Sequence, residues 1–327
     1  MKKLFYLFFL SLFPWYVFGQ QSLHNNHIKV SERWIKELKD FDFNRTPNSL
    51  VLDFEQETSI KLKKFTHTAF LNFLFVNLDS DENNEILLYI GGENTYIETE
   101  FCVLKQIDKQ WYIIYHNHVW LHNDYPVLNV FADYSPNKIF YITKHHDYGT
   151  GIYLKKKHFF KIIDNSVHEV LEVVEQGHIA YGWGYFMCQN VESTINLSSS
   201  ESTIHVYFSY EFYVSNDYKE HVSLIKEEGR VAYKWQANKK KFNVVPYAGG
   251  LPLNEDKIKC FGDFGNDTLF QQAFKNELSI IAEKGDEDQK ARVKAFLEKV
   301  KTKGNAKSFE LKPTKKGDKI TPYKREE

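Results

Sequence analysis

From Leu50 to about Pro246 the chain runs in short apolar stretches divided by clusters of Asn, Asp, Gly and Ser. Ala69–Val76, Glu85–Ile90, Trp111–Tyr115, Lys138–Thr143, Ile152–Leu154, His158–Ile163, Thr203–Tyr210 and Val231–Trp235 are the clearest. Stretches of this length, rich in aromatic and β-branched residues and bounded by turn formers, predict strands. Their close spacing predicts antiparallel meanders rather than βαβ units. The pattern changes at both ends. Ser31 is placed to cap a short helix reaching Lys39, with Trp34, Ile35 and Leu38 on one side. Ala248–Pro252 reads as a turn or linker. Asp267 is placed to cap a helix bearing Leu269, Phe270, Ala273, Phe274, Leu278 and Ile281 and ending at Gly285. Asp286 starts a second, bearing Val293, Phe296, Leu297 and Val300 and ending at Gly304. The short connection predicts an αα-hairpin. The expected fold is mainly β, an antiparallel meander or propeller-like sheet array with a C-terminal α-helical hairpin.

The first nineteen residues stand apart from this pattern. Lys2 and Lys3 precede an apolar run from Leu4 to Phe18, and Val17-Phe18-Gly19 suits a cleavage site. These are the parts of a secretory signal peptide. The run is short of the roughly 20 apolar residues a membrane span needs. The expected organisation is a signal at 1–19, an N-terminal segment with a short helix at 20–48, and a β domain at 49–247. A linker and helical hairpin at 248–304 and a disordered basic tail at 305–327 complete it. A secreted or periplasmic location without a transmembrane anchor follows.

Composition adds three points. Aromatics make up 16% of the residues, which strengthens the lean toward sheet. The formal net charge is −1, yet Lys299–Glu327 holds ten Lys/Arg against four Asp/Glu, so the rest of the chain is acidic. No global basic field exists, and no nucleic-acid partner is expected. The cysteines, Cys102, Cys188 and Cys260, allow one disulfide with a thiol left over, or three buried free thiols.

Two weak recurrences run through the strand region. Asn77–Ile86, Phe131–Ile139 and Asn196–Ile204 each lead a polar turn into a strand at spacings of roughly 55 to 65 residues, which suits propeller-like or meander arrays. Lysine, an aromatic and paired β-branched residues recur at Asp108–Ile114, Lys156–Ile163 and Lys239–Val245. In the first copy of the turn, Asn77, Asp79, Asp81 and Glu85 carry side-chain oxygens just ahead of the apolar Ile86-Leu87-Leu88. This loop resembles the calcium loop of FG-GAP repeats, the units of integrin-α-type β-propellers and their bacterial relatives. Oxygen ligands in that family fall at loop positions 1, 3, 5 and 9 and a strand follows directly. The resemblance implies Ca²⁺ on Asn77, Asp79, Asp81 and Glu85, and Ca²⁺ does take six to eight oxygens. Asn stands at the first position and Glu82 replaces the usual turn glycine. The copies at Phe131 and Asn196 have lost their acids.

Other candidate chemistry is histidine-based. His116 and His118 alternate on one predicted strand, so both point to one face, with His122, His145, His146 and Asp147 as companions for a Zn²⁺ site. The glycine loops His146–Gly151 and Gly177–Gly184 bring His146, Asp147, His178 and Tyr181, all capable acid–base groups. The same loops also read as hairpin turns with aromatic packing. The chain contains no nucleophile elbow, phosphate loop or HExxH motif. The leading expectation is a non-enzymatic extracytoplasmic binding or scaffold module, stiffened by calcium, with an extracellular protein or glycan as partner. The alternative is a secreted hydrolase of glycan or peptide using His and Asp in the two glycine loops.

Overall fold

A computed structural model describes residues 27–62, 69–79, 81–92, 97–121, 128–131, 138–149, 151–180, 188–198, 203–216, 220–245, 252–263 and 266–305. The expected signal at 1–19 and the tail from 306 onward lie outside them. The described elements begin with β1 (Ile28–Val30), α1 (Glu32–Lys39) and α2 (Asn48–Thr58). β2 (Ala69–Val76), β3 (Glu85–Gly92), β4 (Ile97–Ile107) and β5 (Gln110–Leu121) follow. Then come β6 (Asn129–Phe131), β7 (Ile139–Gly149), β8 (Ile152–Ile163), β9 (Ser166–Ile179) and β10 (Cys188–Ser198). β11 (Thr203–Asn216), β12 (Glu220–Gln236) and β13 (Lys241–Val245) end the strands. The helices α3 (Glu255–Gly262), α4 (Asp267–Ala273), α5 (Lys275–Lys284) and α6 (Glu287–Asn305) close the described chain.

The strands form two antiparallel sheets. Sheet A has the order β1-β5-β4-β3-β2, and sheet B runs β13 to β6 in unbroken sequence order. Sheet B is a meander throughout, and sheet A is one from β2 to β5 with β1 added beside β5. The three recurring turns are the β2–β3, β6–β7 and β10–β11 connections. Two-residue hairpins fix the register elsewhere. Asp108 and Lys109 join β4 to β5 with φ of 50° and 64°, and Asp164 and Asn165 join β8 to β9 with φ of 54° and 57°. Positive φ at both central residues matches the twist of the flanking strands. The first glycine loop is also a hairpin turn: Gly149 pairs with Ile152, and Gly151 takes φ 82°.

Packing stacks the elements in four layers. α1 and α2 lie on one face of sheet A through Trp34, Ile35, Leu38, Val51 and Phe54. The other face, with Leu87, Tyr89, Phe101 and Val103, packs on Phe140, Ile142, Phe160 and Ile162 of sheet B. The C-terminal helices bury Phe261, Phe270, Phe274 and Phe296 against β11 and its neighbours. Phe212 sits at the centre of that cluster, with ring centroids 4.6 Å from Phe270 and 4.9 Å from Phe274.

Helices depart from expectation in three places. Residues 48–58 form α2 rather than the start of the strand region. Leu50, Leu52 and Phe54 fit a period of two as well as a helix, but Leu52 is 54% exposed and the buried stripe is Leu50, Val51, Phe54 and Thr58. α3 appears where only the end of a linker was read, capped by Asn254 accepting from the Lys257 N–H at 2.8 Å. The first arm of the hairpin is two helices, started by Asn266 rather than Asp267 and interrupted at the buried Phe274. α5, Gly285 and α6 form the expected hairpin. Cys102, Cys188 and Cys260 are buried free thiols, and burial pushes each of their pKa values up. No helix among the described residues is long and apolar enough to cross a membrane.

Candidate functional site

The β2–β3 loop folds on itself as its Asx residues dictate. The Asp79 carboxylate accepts from the Asp81 N–H at 3.0 Å, and Asp81 accepts from the Asn83 N–H at 2.8 Å. Asn77 turns its amide inward and donates to the carbonyls of Asp81 and Asn83. Leu78 is fully buried, and its carbonyl accepts from the Lys138 N–H at 3.0 Å, tying the loop to the start of sheet B's β7.

The three acids of this loop do converge, but on a lysine. The Lys105 ammonium, brought by β4, lies 2.5 Å from Asp79 Oδ2 and 2.9 Å from Glu85 Oε1 and also pairs with Asp81 Oδ2. Its side chain is only 3% exposed, and Glu85 is fully buried. The second oxygen of Glu85 accepts from the Leu78 N–H at 2.7 Å. Burial alone would depress the Lys105 pKa, but the three carboxylates outweigh it and hold the pKa raised. Burial pushes Glu85 up, whereas for Asp81 the ammonium and the Asn83 N–H outweigh burial and leave the pKa lowered. A calcium ion would have to share these oxygens with a buried positive charge and would find Asn77 presenting N–H groups to its own loop. One ligand atom from each of Asp79, Asp81 and Glu85 lies within 4.8 Å of the others, and in this arrangement Lys105 stands at their centre. Lys105 was missed as a site residue, although alternation along Phe101–Lys105 puts it on the same face as the buried Phe101 and Val103.

A second cluster spans β7, β8 and β9. His158 and Glu172 face each other in register, and His146 is the extra residue of a β-bulge between His145 and Asp147. A bulge re-aims the side chain it inserts. His146 Nε2 meets His158 Nε2 at 2.8 Å, with ring centroids 5.0 Å apart and planes 19° apart. The rings therefore meet edge to edge, nearly in one plane. Beyond His158, its Nδ1 lies 3.1 Å from Glu169 Oε1 and 3.7 Å from Glu172 Oε2, while Lys156 Nζ holds the other Glu172 oxygen at 2.7 Å. Partial burial, then the neighbouring His158, push the His146 pKa down to about 4. Burial raises Glu169, but the hydrogen bond with His158 outweighs it and leaves the pKa lowered.

The remaining candidates are scattered. His116 and His118 share the Glu100 carboxylate, at 3.7 and 2.9 Å from their Nδ1 atoms. Of their proposed companions, His146 instead belongs to the sheet B cluster and His122 lies outside the described residues. His178 Nδ1 bonds Asn190 Oδ1, its cross-strand partner. His178 is also in register with Tyr153, and alternation along β8 sets Tyr153 and His158 on opposite faces. His146 and His178 are thus not brought together. Asp147 is described only through its backbone pairing with Leu154, and Tyr181 lies outside the described residues.

Sheet B also carries a groove of about 820 Å³ across β8 to β12. Lys155, Gln176, Glu192, Ser209 and Glu228 line it in one cross-strand row. Thr194, Tyr207 and Arg230 form the next row. Tyr207 is 41% exposed, one of few large hydrophobic side chains on the surface. No sequence motif marked this groove, because its residues come from five strands. Comparison of the chain with protein-family models, with curated proteins and with solved structures gives no match.

Proposed function

We propose that the protein is an exported, non-enzymatic binding module whose ligand lies in the groove across β8 to β12. The groove carries this reading. Its volume falls in the ~300–1,000 Å³ range of ligand sites, and polar groups from five strands converge in it. Tyr207 offers an exposed ring face beside Thr194 and Arg230, and acids, an amide and hydroxyls line the adjacent row. An aromatic face with alternating acceptors and donors suits a neutral, hydroxyl-rich chain, so the ligand class is a glycan. The β2–β3 loop, held together by Lys105, contributes by tying sheet A to sheet B through the Leu78 carbonyl and the Lys138 N–H. Export through the 1–19 signal would put the groove outside the cytoplasm.

Calorimetric titration of the purified protein with oligomers of β-1,4-linked glucose and of N-acetylglucosamine tests this reading. At least one series is expected to bind, with Tyr207→Ala weakening it at least about tenfold, the loss of an exposed anchor worth about 1.4 kcal/mol. Binding of peptides but not of any glycan, or binding indifferent to Tyr207→Ala, would overturn it.

A further inference from the structure

We propose that His146, His158 and Glu172 form a site for a divalent transition-metal ion of the Zn²⁺ and Cu²⁺ class. One ligand atom from each of the three lies within 4.8 Å of the others. Two imidazoles and a carboxylate, with a water to complete four-coordination, are a recurrent donor set for these ions. Imidazole nitrogen also selects against Ca²⁺ and Mg²⁺, which take oxygen.

The surrounding groups prepare the ligands. Glu169 accepts from His158 Nδ1, so the neighbour network assigns the proton to Nδ1 and leaves the Nε2 lone pair facing His146. A carboxylate behind a ligating histidine fixes its tautomer and orientation and raises its basicity. Lys156 anchors one oxygen of Glu172, and the other, 3.7 Å from His158 Nδ1, is the one that would turn toward the ion. Lys144 faces both Glu169 and Glu172, so two lysines balance two carboxylates before the ion arrives. The cluster sits at a seam. Two residues along β8, Phe160 packs on sheet A, and two residues back, Lys156 runs beside Gly262 of α3. His146 is exposed at the seam and gives the ion a route in.

Without an ion, the two imidazoles satisfy each other through one shared proton on the line between the Nε2 atoms. An ion takes both lone pairs. The proton then leaves His146 Nε2 for its Nδ1, and the nitrogens open by roughly half an ångström to accept Zn–N bonds of about 2.0–2.1 Å. His146, on a bulge and at the surface, is the residue placed to make that adjustment. This site shares no residue with the groove, so its fate is independent of the ligand proposed there.

The test is metal binding by the full protein after chelator treatment and dialysis. Zn²⁺ titration is expected to fill one site per chain, and Cu²⁺ is expected to give an electron paramagnetic resonance spectrum coupled to two imidazole nitrogens. His146→Ala and Glu172→Gln should each weaken Zn²⁺ at least about 100-fold, the upper end of what losing even an outer-shell partner costs. His116→Ala/His118→Ala should bind as the unaltered protein does. Circular dichroism of each variant checks that it folds. Because His146 is exposed, loss of binding in a folded His146→Ala variant cannot be ascribed to collapse. Equal affinity in His146→Ala, loss only in His116→Ala/His118→Ala, or a copper spectrum lacking two-imidazole coupling would each overturn the proposal.

Discussion

The two clusters of ionisable side chains solve the same problem in opposite ways. In sheet A three carboxylates close around Lys105, a cation the chain itself supplies, with Lys105 and Glu85 sealed from solvent and Asp81 at the surface. In sheet B two imidazoles, backed by carboxylates, face each other at a seam and reach solvent through His146. The first has a cation of its own at its centre, one ammonium answering three carboxylates. The second holds lone pairs that a proton satisfies for the moment. The lesson is that converging acidic side chains do not identify a metal site until the nearest buried cation has been found.

The largest effect should separate closed from open. Lys105→Met leaves three carboxylates facing each other with no cation between them, and loss of one member of a buried ionic group costs about 3–5 kcal/mol. His146→Ala, at an exposed position, should cost less than about 1 kcal/mol. Urea denaturation of both variants measures the contrast, and similar losses would erase it. Next in size is rescue. With Lys105 gone, millimolar Ca²⁺ should restore about 1–3 kcal/mol to Lys105→Met by binding the folded state alone. The unaltered protein should show no calcium-dependent shift in melting temperature. A shift there would return calcium to Asn77, Asp79, Asp81 and Glu85.

The smallest effect is a slope against pH, read in chelator so that no ion intervenes. His146 stays neutral in the folded state down to about 4, whereas an unfolded histidine takes up its proton near 6.5. Between those values the unfolded chain binds more protons, so stability falls as pH is lowered from about 6.5 toward about 4 and is level above. Asp81 works in a lower window. Its pKa is depressed, so its contribution is present above the ordinary carboxylate value and is lost as pH falls through the folded one. His168, also lowered by burial, adds to the upper slope. The difference between the unaltered protein and His146→Asn isolates the His146 share, and parallel curves would show that the imidazole pair does not resist protonation.

Much of the fold was legible because it is written in local terms. Alternation and turn formers marked most of the strands, and Ser31 and the Trp34, Ile35, Leu38 stripe marked α1. The segment at 48–58 misled because three apolar residues at every second position satisfy both periods, and only the exposure of Leu52 decides between them. The sites were less legible. Loop spacing located the acids of the β2–β3 turn but not what they would face, since Lys105 comes from another strand twenty residues past Glu85. His146 was singled out, yet its partner His158 and the carboxylates Glu169 and Glu172 are set by strand register and a bulge. Neither can be read from spacing along one strand.

The three free thiols give the fold an uneven relation to its surroundings. Cys102 is sealed in the core between sheet A and α1–α2, and Cys260 in the core beneath the C-terminal helices. Once folded, burial keeps both from solvent and from each other. The unfolded chain enjoys no such protection. A Cys102–Cys260 bridge formed before folding would chain together two cores that lie on different sides of the molecule. For these two thiols the exposure an oxidant needs exists before folding and is closed by it.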